Sequence, residues 1–210
     1  MIRINFRRFA TLRRLLGDRS GVTLVEFAFV GPVLILMIMG LFDLAHTQYS
    51  RSVLHGAVQK AGRDLTLESA GSSVTAIDAR VRDQVSTVMP SGADIQFEKL
   101  SHADFADIGE PEVILGDDAE GEPGHGVCES SKNERYIDAN NNGRWDADRG
   151  KTGIGGARDA VLYTVVVTYP RMFPMFTLAG LPRNVTIEAS TVLRNQPFAE
   201  QDTTQPTRNC

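Results

Sequence analysis

Val22-Thr23-Leu24-Val25-Glu26-Phe27-Ala28-Phe29-Val30-Gly31-Pro32-Val33-Leu34-Ile35-Leu36-Met37-Ile38-Met39-Gly40-Leu41-Phe42-Asp43-Leu44-Ala45 decides the architecture of this 210-residue chain. Its only charges are Glu26 and Asp43, one near each end. At about 1.5 Å per residue, a helix of this length spans roughly 36 Å, enough to cross a hydrocarbon layer of about 30 Å. The competing assignment is a buried core helix, but a soluble core seldom needs apolar side chains on every face, as Ile35–Met39 supplies. The stretch predicts one transmembrane helix over residues 22–45, with the lipid bilayer as its surroundings.

The flanks orient it. Residues 1–21 hold Arg3, Arg7, Arg8, Arg13, Arg14 and Arg19 against one acid, Asp18, whereas no arginine follows the apolar run until Arg51. A basic leader beside anionic lipid places the N-terminus in the cytoplasm and the remainder outside. The net charge of -4 therefore hides a basic head on an acidic body, which argues against nucleic acid as a partner. A conventional signal peptide would be cut after the apolar run, but Ala45-His46-Thr47-Gln48 makes a poor small-residue site.

Just before the run stands Gly21-Val22-Thr23-Leu24-Val25-Glu26-Phe27. This resembles the processing site of type IV prepilins, in which a basic leader ends in Gly and a Glu occupies the fifth mature position. The segment Gly21–Asp43, a Gly, then V-E-F-A, a Pro-bearing apolar run and G-L-x-D, looks more specifically like the TadE-type pseudopilins of the tight-adherence (Flp) pilus. Thr191–Phe198 also resembles the end of such proteins.

The resemblance implies cleavage after Gly21 by a prepilin peptidase, a mature chain that begins at Val22, and a periplasmic body on an inner-membrane helix. It further implies that Glu26 meets the free α-amino group of a neighbouring pilin or pseudopilin subunit. A carboxylate in a membrane helix costs roughly 2.5–3.5 kcal/mol at the centre and less near an end, so a neutralising partner would favour lateral docking. The plain alternative is that Glu26 reaches interfacial water. Val22 replaces the aromatic first residue often found in classical pilins.

Beyond Ala45 the helix is expected to continue as a stalk. Val53, Leu54, Ala57, Val58, Ala61 and Leu65 recur at helical spacing, up to the break at Ser69–Ser73. A second amphipathic helix follows, with Val74, Ile77, Val81, Val85 and Val88 on one face, ended by Pro90-Ser91-Gly92. Strands are predicted at Asp94–Glu98, Glu112–Leu115, Ala160–Tyr169 and Val185–Leu193. The fold class is α+β, pilin-like: helices packed on a small antiparallel sheet. The organisation reads as leader 1–21, helix 22–45, extracytoplasmic body 46–198 with an acidic glycine-rich insertion at 116–159, and a polar tail at 199–210 that is expected to be loose unless Cys210 ties it down. The apolar connection Arg171–Phe176 reads as an edge of the core, with lipid or a partner as the other assignment.

Within the insertion, Asp138-Ala139-Asn140-Asn141-Asn142-Gly143 has the front-half spacing of an EF-hand-like calcium loop. Asp138, Asn140 and Asn142 would offer side-chain oxygens, Arg144 its carbonyl, and Asp146 or Asp148 would close the shell. Position 12 is Arg149 rather than a bidentate Glu, and a plain Asx-turn loop is the alternative. Cys128 and Cys210 could bridge in an oxidising compartment or be two unrelated thiols.

No G-x-S-x-G, H-E-x-x-H or phosphate-binding G-x-x-x-x-G-K occurs, and His46, His55, His102 and His125 are scattered and expected to be solvated. The chain is therefore expected not to be an enzyme. The leading expectation is a minor pseudopilin that assembles with other pilus proteins. The alternative is an uncleaved, signal-anchored periplasmic binding or sensing protein.

Overall fold

The computed structural model describes residues 21–67, 74–115, 127–173, 180, 182–195 and 204–210. Helix α1 runs unbroken from Val22 to Leu67, with Pro32 inside it, and helix α2 spans Val74–Ser86. Pro32 lacks the amide a helix uses, which a membrane helix tolerates better than most. The strands are β1 (Asp94–His102), β2 (Ile114–Leu115), β3 (Arg135–Ile137), β4 (Lys151–Thr152), β5 (Ala160–Pro170), β6 (Asn184–Arg194) and β7 (Thr207–Asn209).

Two antiparallel sheets result. The larger has the order β4-β1-β5-β6, and the smaller has the order β2-β3-β7. β5 is central because Val161, Thr164, Val165, Val166, Val167 and Thr168 are β-branched and suit a pleated, doubly paired strand. β6 alternates exposed and buried positions along most of its length, so only one of its faces enters the core.

The core lies between that sheet and the two helices. Leu54, Ala57, Val58, Ala61 and Leu65 of α1 join Ile77, Val81 and Val85 of α2. Against them pack Ile95, Tyr163, Val165, Val167, Tyr169, Val185, Ile187 and Leu193. Gly62 permits this closeness: a Cβ there would stand 3.0 Å from Thr191 Cγ2. α2 is pinned by polar contacts too, since Asp78 accepts from Tyr163 Oη at 2.8 Å and from Lys99 Nζ at 2.6 Å. Burial and the Asp78 carboxylate both push the Tyr163 phenol far above its ordinary range.

The β5–β6 hairpin lies along α1 in a fixed register. Thr191 meets Gly62, Tyr169 Oη lies 3.4 Å from Thr47 Oγ1, and Arg171 Nη1 donates to Asp43 Oδ2 at 2.6 Å. The Pro170–Asn184 end of the two strands therefore lies toward the apolar half of α1.

The expected elements appear, with corrections at their ends. Glu112–Leu115 shrinks to Ile114–Leu115, because Glu112 turns inward. The tail is not wholly loose: Thr207–Asn209 pairs with Arg135–Ile137. Of the apolar connection Arg171–Phe176, residues 174–176 lie outside the described residues, as do the leader and the start of the insertion.

Candidate functional site

Two regions carry the candidate residues. At the first, the Gly21 carbonyl accepts from Val25 N at 3.2 Å and so begins α1. From there nearly every side chain is uncovered: Leu24, Val25, Phe27, Phe29 and Val30 are all more than half exposed. Rest-of-chain packing buries 6% of the most apolar 18-residue stretch, where a soluble core helix would be mostly buried. By length, composition and exposure α1 is able to cross a membrane. Glu26 is exposed on this apolar surface, with Val22, Phe29 and Val30 at i-4, i+3 and i+4, and no ion pair reaches it among the described residues.

The second region is the loop from Asp138 to Arg149. Asp138 is fully buried and folds the loop about itself. Its Oδ1 accepts from Asn142 N at 3.1 Å, and its Oδ2 accepts from Gly143 N at 2.9 Å. Gly143 has φ of +82°, which disfavours any residue with a Cβ. Asn140 Oδ1 accepts from Asn142 N, and Asn142 Oδ1 accepts from Arg144 N, both as Asx turns. Asn140 Nδ2 and Asn142 Nδ2 both donate to Asp146 Oδ2. Asp148 leaves this cluster and pairs with His102 at 2.7 Å.

Sequence reading missed three residues here. Glu112 sits beneath the loop, 2% exposed. Its Oε1 accepts from Ala139 N at 2.8 Å and its Oε2 from Asp146 N at 3.1 Å, while Trp145 Nε1 donates to its carbonyl. Burial holds the Glu112 carboxyl above its ordinary range, although these backbone amides pull the other way and Asp138 adds to the rise. Glu112 thus ties the two ends of the loop together through backbone amides. Arg149, at position 12 of the loop, donates to the Pro111 carbonyl and to Asp107.

Arg208 is the second, donating through Nε to Asp138 Oδ2 and through Nη2 to Asn141 Oδ1. Its guanidinium occupies the side of the Asp138 carboxylate that a calcium ion would compete for. His102 is the third and corrects an expectation. It is buried rather than solvated, and its Nδ1 has no partner among the described residues. Ser101 next to it donates to the Lys151 carbonyl. His46 lies half-buried with Nε2 3.0 Å from the Val88 carbonyl, His55 is exposed, and His125 lies outside the described residues. The partners of Glu112, His102 and Arg208 are distant in sequence, so no local pattern marked them.

The tail closes this region. Cys128 and Cys210 form a disulfide with Cα atoms 5.5 Å apart. Cys210 N donates to the Glu134 carbonyl and Asp138 N to the Pro206 carbonyl. Backbone pairing, an ion pair and a covalent bridge therefore all tie the C-terminus to the loop.

Comparison with known proteins bears on the first region. Residues 21–63 match the model of a family described as TadE-like protein. The match begins at Gly21 and covers most of α1, and it agrees with the resemblance read from Gly21–Asp43. No curated protein and no solved structure matches the chain.

Proposed function

From a TadE-like N-terminal segment, we propose that this chain is a minor pseudopilin-like subunit that helps assemble a tight-adherence pilus or a related secretion machine. The observation that carries the reading is the exposed apolar half of α1 with Glu26 standing alone on it, continuous with a stalk that bears a folded body. A prepilin peptidase removes residues 1–21, and the α-amino group of Val22 becomes a mobile counter-charge. Glu26 of one subunit pairs with that amino group on its neighbour, which offsets the cost of a carboxylate in lipid and sets the stagger between helices.

The basic leader supports a cytoplasmic N-terminus and a body outside the inner membrane. A disulfide suits that oxidising side. The role is docking rather than catalysis. The second reading, an uncleaved anchored binding or sensing protein, differs at one bond.

N-terminal sequencing of the protein from membranes separates the two. A terminus at Val22, lost in Gly21→Arg, is the expected result. An intact leader, or a cut near Ala45, defeats the pilin reading.

A further inference from the structure

Three metal-ligating side chains meet where β7 ends. The sulfur atoms of Cys128 and Cys210 and a carboxylate oxygen of Glu134 all lie within 4.8 Å of one another. The backbone around them places each one by contacts other than the bridge. β7 pairs with β3 in the register Arg135↔Asn209, which sets Cys210 beside Glu134, and Cys210 N donates to the Glu134 carbonyl at 3.1 Å. A 3-10 turn at Ser130–Lys132 brings the chain back from Cys128 to Glu134. Asn133, with φ of 60°, closes that turn, and Glu129 N donates to Glu134 Oε2 at 2.7 Å.

The carboxylate is the informative member. Glu134 is 6% exposed, and no ion pair reaches it among the described residues; Lys132, close by in sequence, pairs with Glu129. The disulfide beside it carries no charge and offers no N–H or O–H. A buried carboxylate without a counter-charge is costly, and a cation at this point would offset that cost. Once the bridge is open, the neighbours of the carboxylate are two thiols. As thiolates they select soft and borderline metals over calcium or magnesium. Zinc accepts this mixture, with sulfur at about 2.3 Å and carboxylate oxygen at about 2.0–2.2 Å. Tetrahedral angles then set the three ligand atoms about 3.6–3.8 Å apart, inside the spacing that the fold already holds.

We infer that Cys128, Glu134 and Cys210 form a zinc site in the reduced chain, so that bridge and metal are alternative staples for one tail. Either staple keeps β7 on β3 and Arg208 on Asp138. Opening the bridge takes two electrons and two protons and yields two thiols. Zinc binding then releases those two protons and leaves two thiolates and one carboxylate on the ion, with water in the fourth place. A disulfide oxidant such as oxidised glutathione reverses the exchange. It takes two electrons from the thiolates and two protons from water, leaves as two thiols, and the bridge reforms as zinc departs. Zinc thus holds the tail in a chain that has not yet been oxidised. The inference is independent of the pilus reading.

The test uses the full-length chain in detergent, reduced with a phosphine that ends as its oxide. Zinc is added in competition with the chromogenic chelator 4-(2-pyridylazo)resorcinol. The expected result is one zinc per reduced chain, a higher melting temperature of that chain with zinc than without, and no zinc held by the bridged chain. Cobalt in place of zinc should give a thiolate-to-metal charge-transfer band. Even a partner outside a metal's own shell is typically worth about 10–100-fold in affinity, so Glu134→Gln should weaken zinc by at least tenfold. The same variant should still form the bridge when oxidised, which shows that its fold is intact. A reduced chain that takes no zinc overturns the inference, as does an affinity unchanged in Glu134→Gln or in Cys210→Ser. Equal uptake by the bridged chain puts the metal elsewhere and overturns it too. Zinc that binds without raising the melting temperature is held by unfolded thiols, and also overturns it.

Discussion

Arg171 and Asp43 lie 128 residues apart in sequence and 2.6 Å apart in space, and their bond joins the end of the sheet to the end of the apolar helix. Asp43 is 2% exposed, so its charge has little water to satisfy it. Removing one member of such a pair leaves the other buried and uncompensated, at a cost of about 3–5 kcal/mol. Arg171→Ala is therefore expected to lower the unfolding free energy of the purified chain by that order. The double variant Asp43→Ala/Arg171→Ala should lose less than the sum of the two singles. Thermal unfolding in detergent measures both, and strict additivity would show that the two residues are not coupled.

Glu112 should make stability depend on pH. Its carboxyl is held above the ordinary 4.5, chiefly by burial, so the folded chain binds that proton more tightly than the unfolded one. The favourable contribution is present below 4.5 and is lost as pH rises through the raised value. Stability measured against Glu112→Gln is thus expected to fall from acid toward neutral pH. Glu112→Ala should be worse at every pH, by about 1–3 kcal/mol for each amide left unsatisfied. A wild-type profile parallel to that of Glu112→Gln would refute the assignment.

The Cys128–Cys210 bridge spans 82 residues. Chain-entropy arithmetic for a loop of that size gives roughly 4.5 kcal/mol, and measured bridges commonly give 2–4 kcal/mol. Cys128→Ser is expected to destabilise the body within that range. The loss should concentrate in β7 and the 138–149 loop, which hydrogen exchange would report as faster exchange at Asp138 N and Cys210 N.

The calcium reading of the loop has a direct check. Calcium at millimolar levels should raise the melting temperature, and Asp138→Ala should abolish the rise. Because Arg208 competes for the Asp138 carboxylate, Arg208→Ala should enlarge the rise. No response in any of the three proteins leaves a plain Asx-turn loop, closed by Arg208 in place of a metal.

How much of this was legible beforehand follows from the range of the forces involved. Val22–Ala45 declares from composition alone a helix long and apolar enough to cross a membrane, because burial in lipid needs no particular partner. The stripe Leu54–Leu65 and the alternation Val185–Leu193 declare faces, since local periodicity matches the geometry of helix and strand. Gly21 and Glu26 were legible as a spacing, and the family match covers that same stretch. What no local pattern could contain was pairing. Which arginine meets Asp43, which carboxylate fills the space beneath Asp138, and whether a polar tail finds a strand depend on groups 27 to 128 residues away. Hydrogen bonds and ion pairs act over a few ångströms and carry no signature along the chain, so only the folded sheet, by setting the β5–β6 hairpin beside α1 and β7 beside β3, decided them.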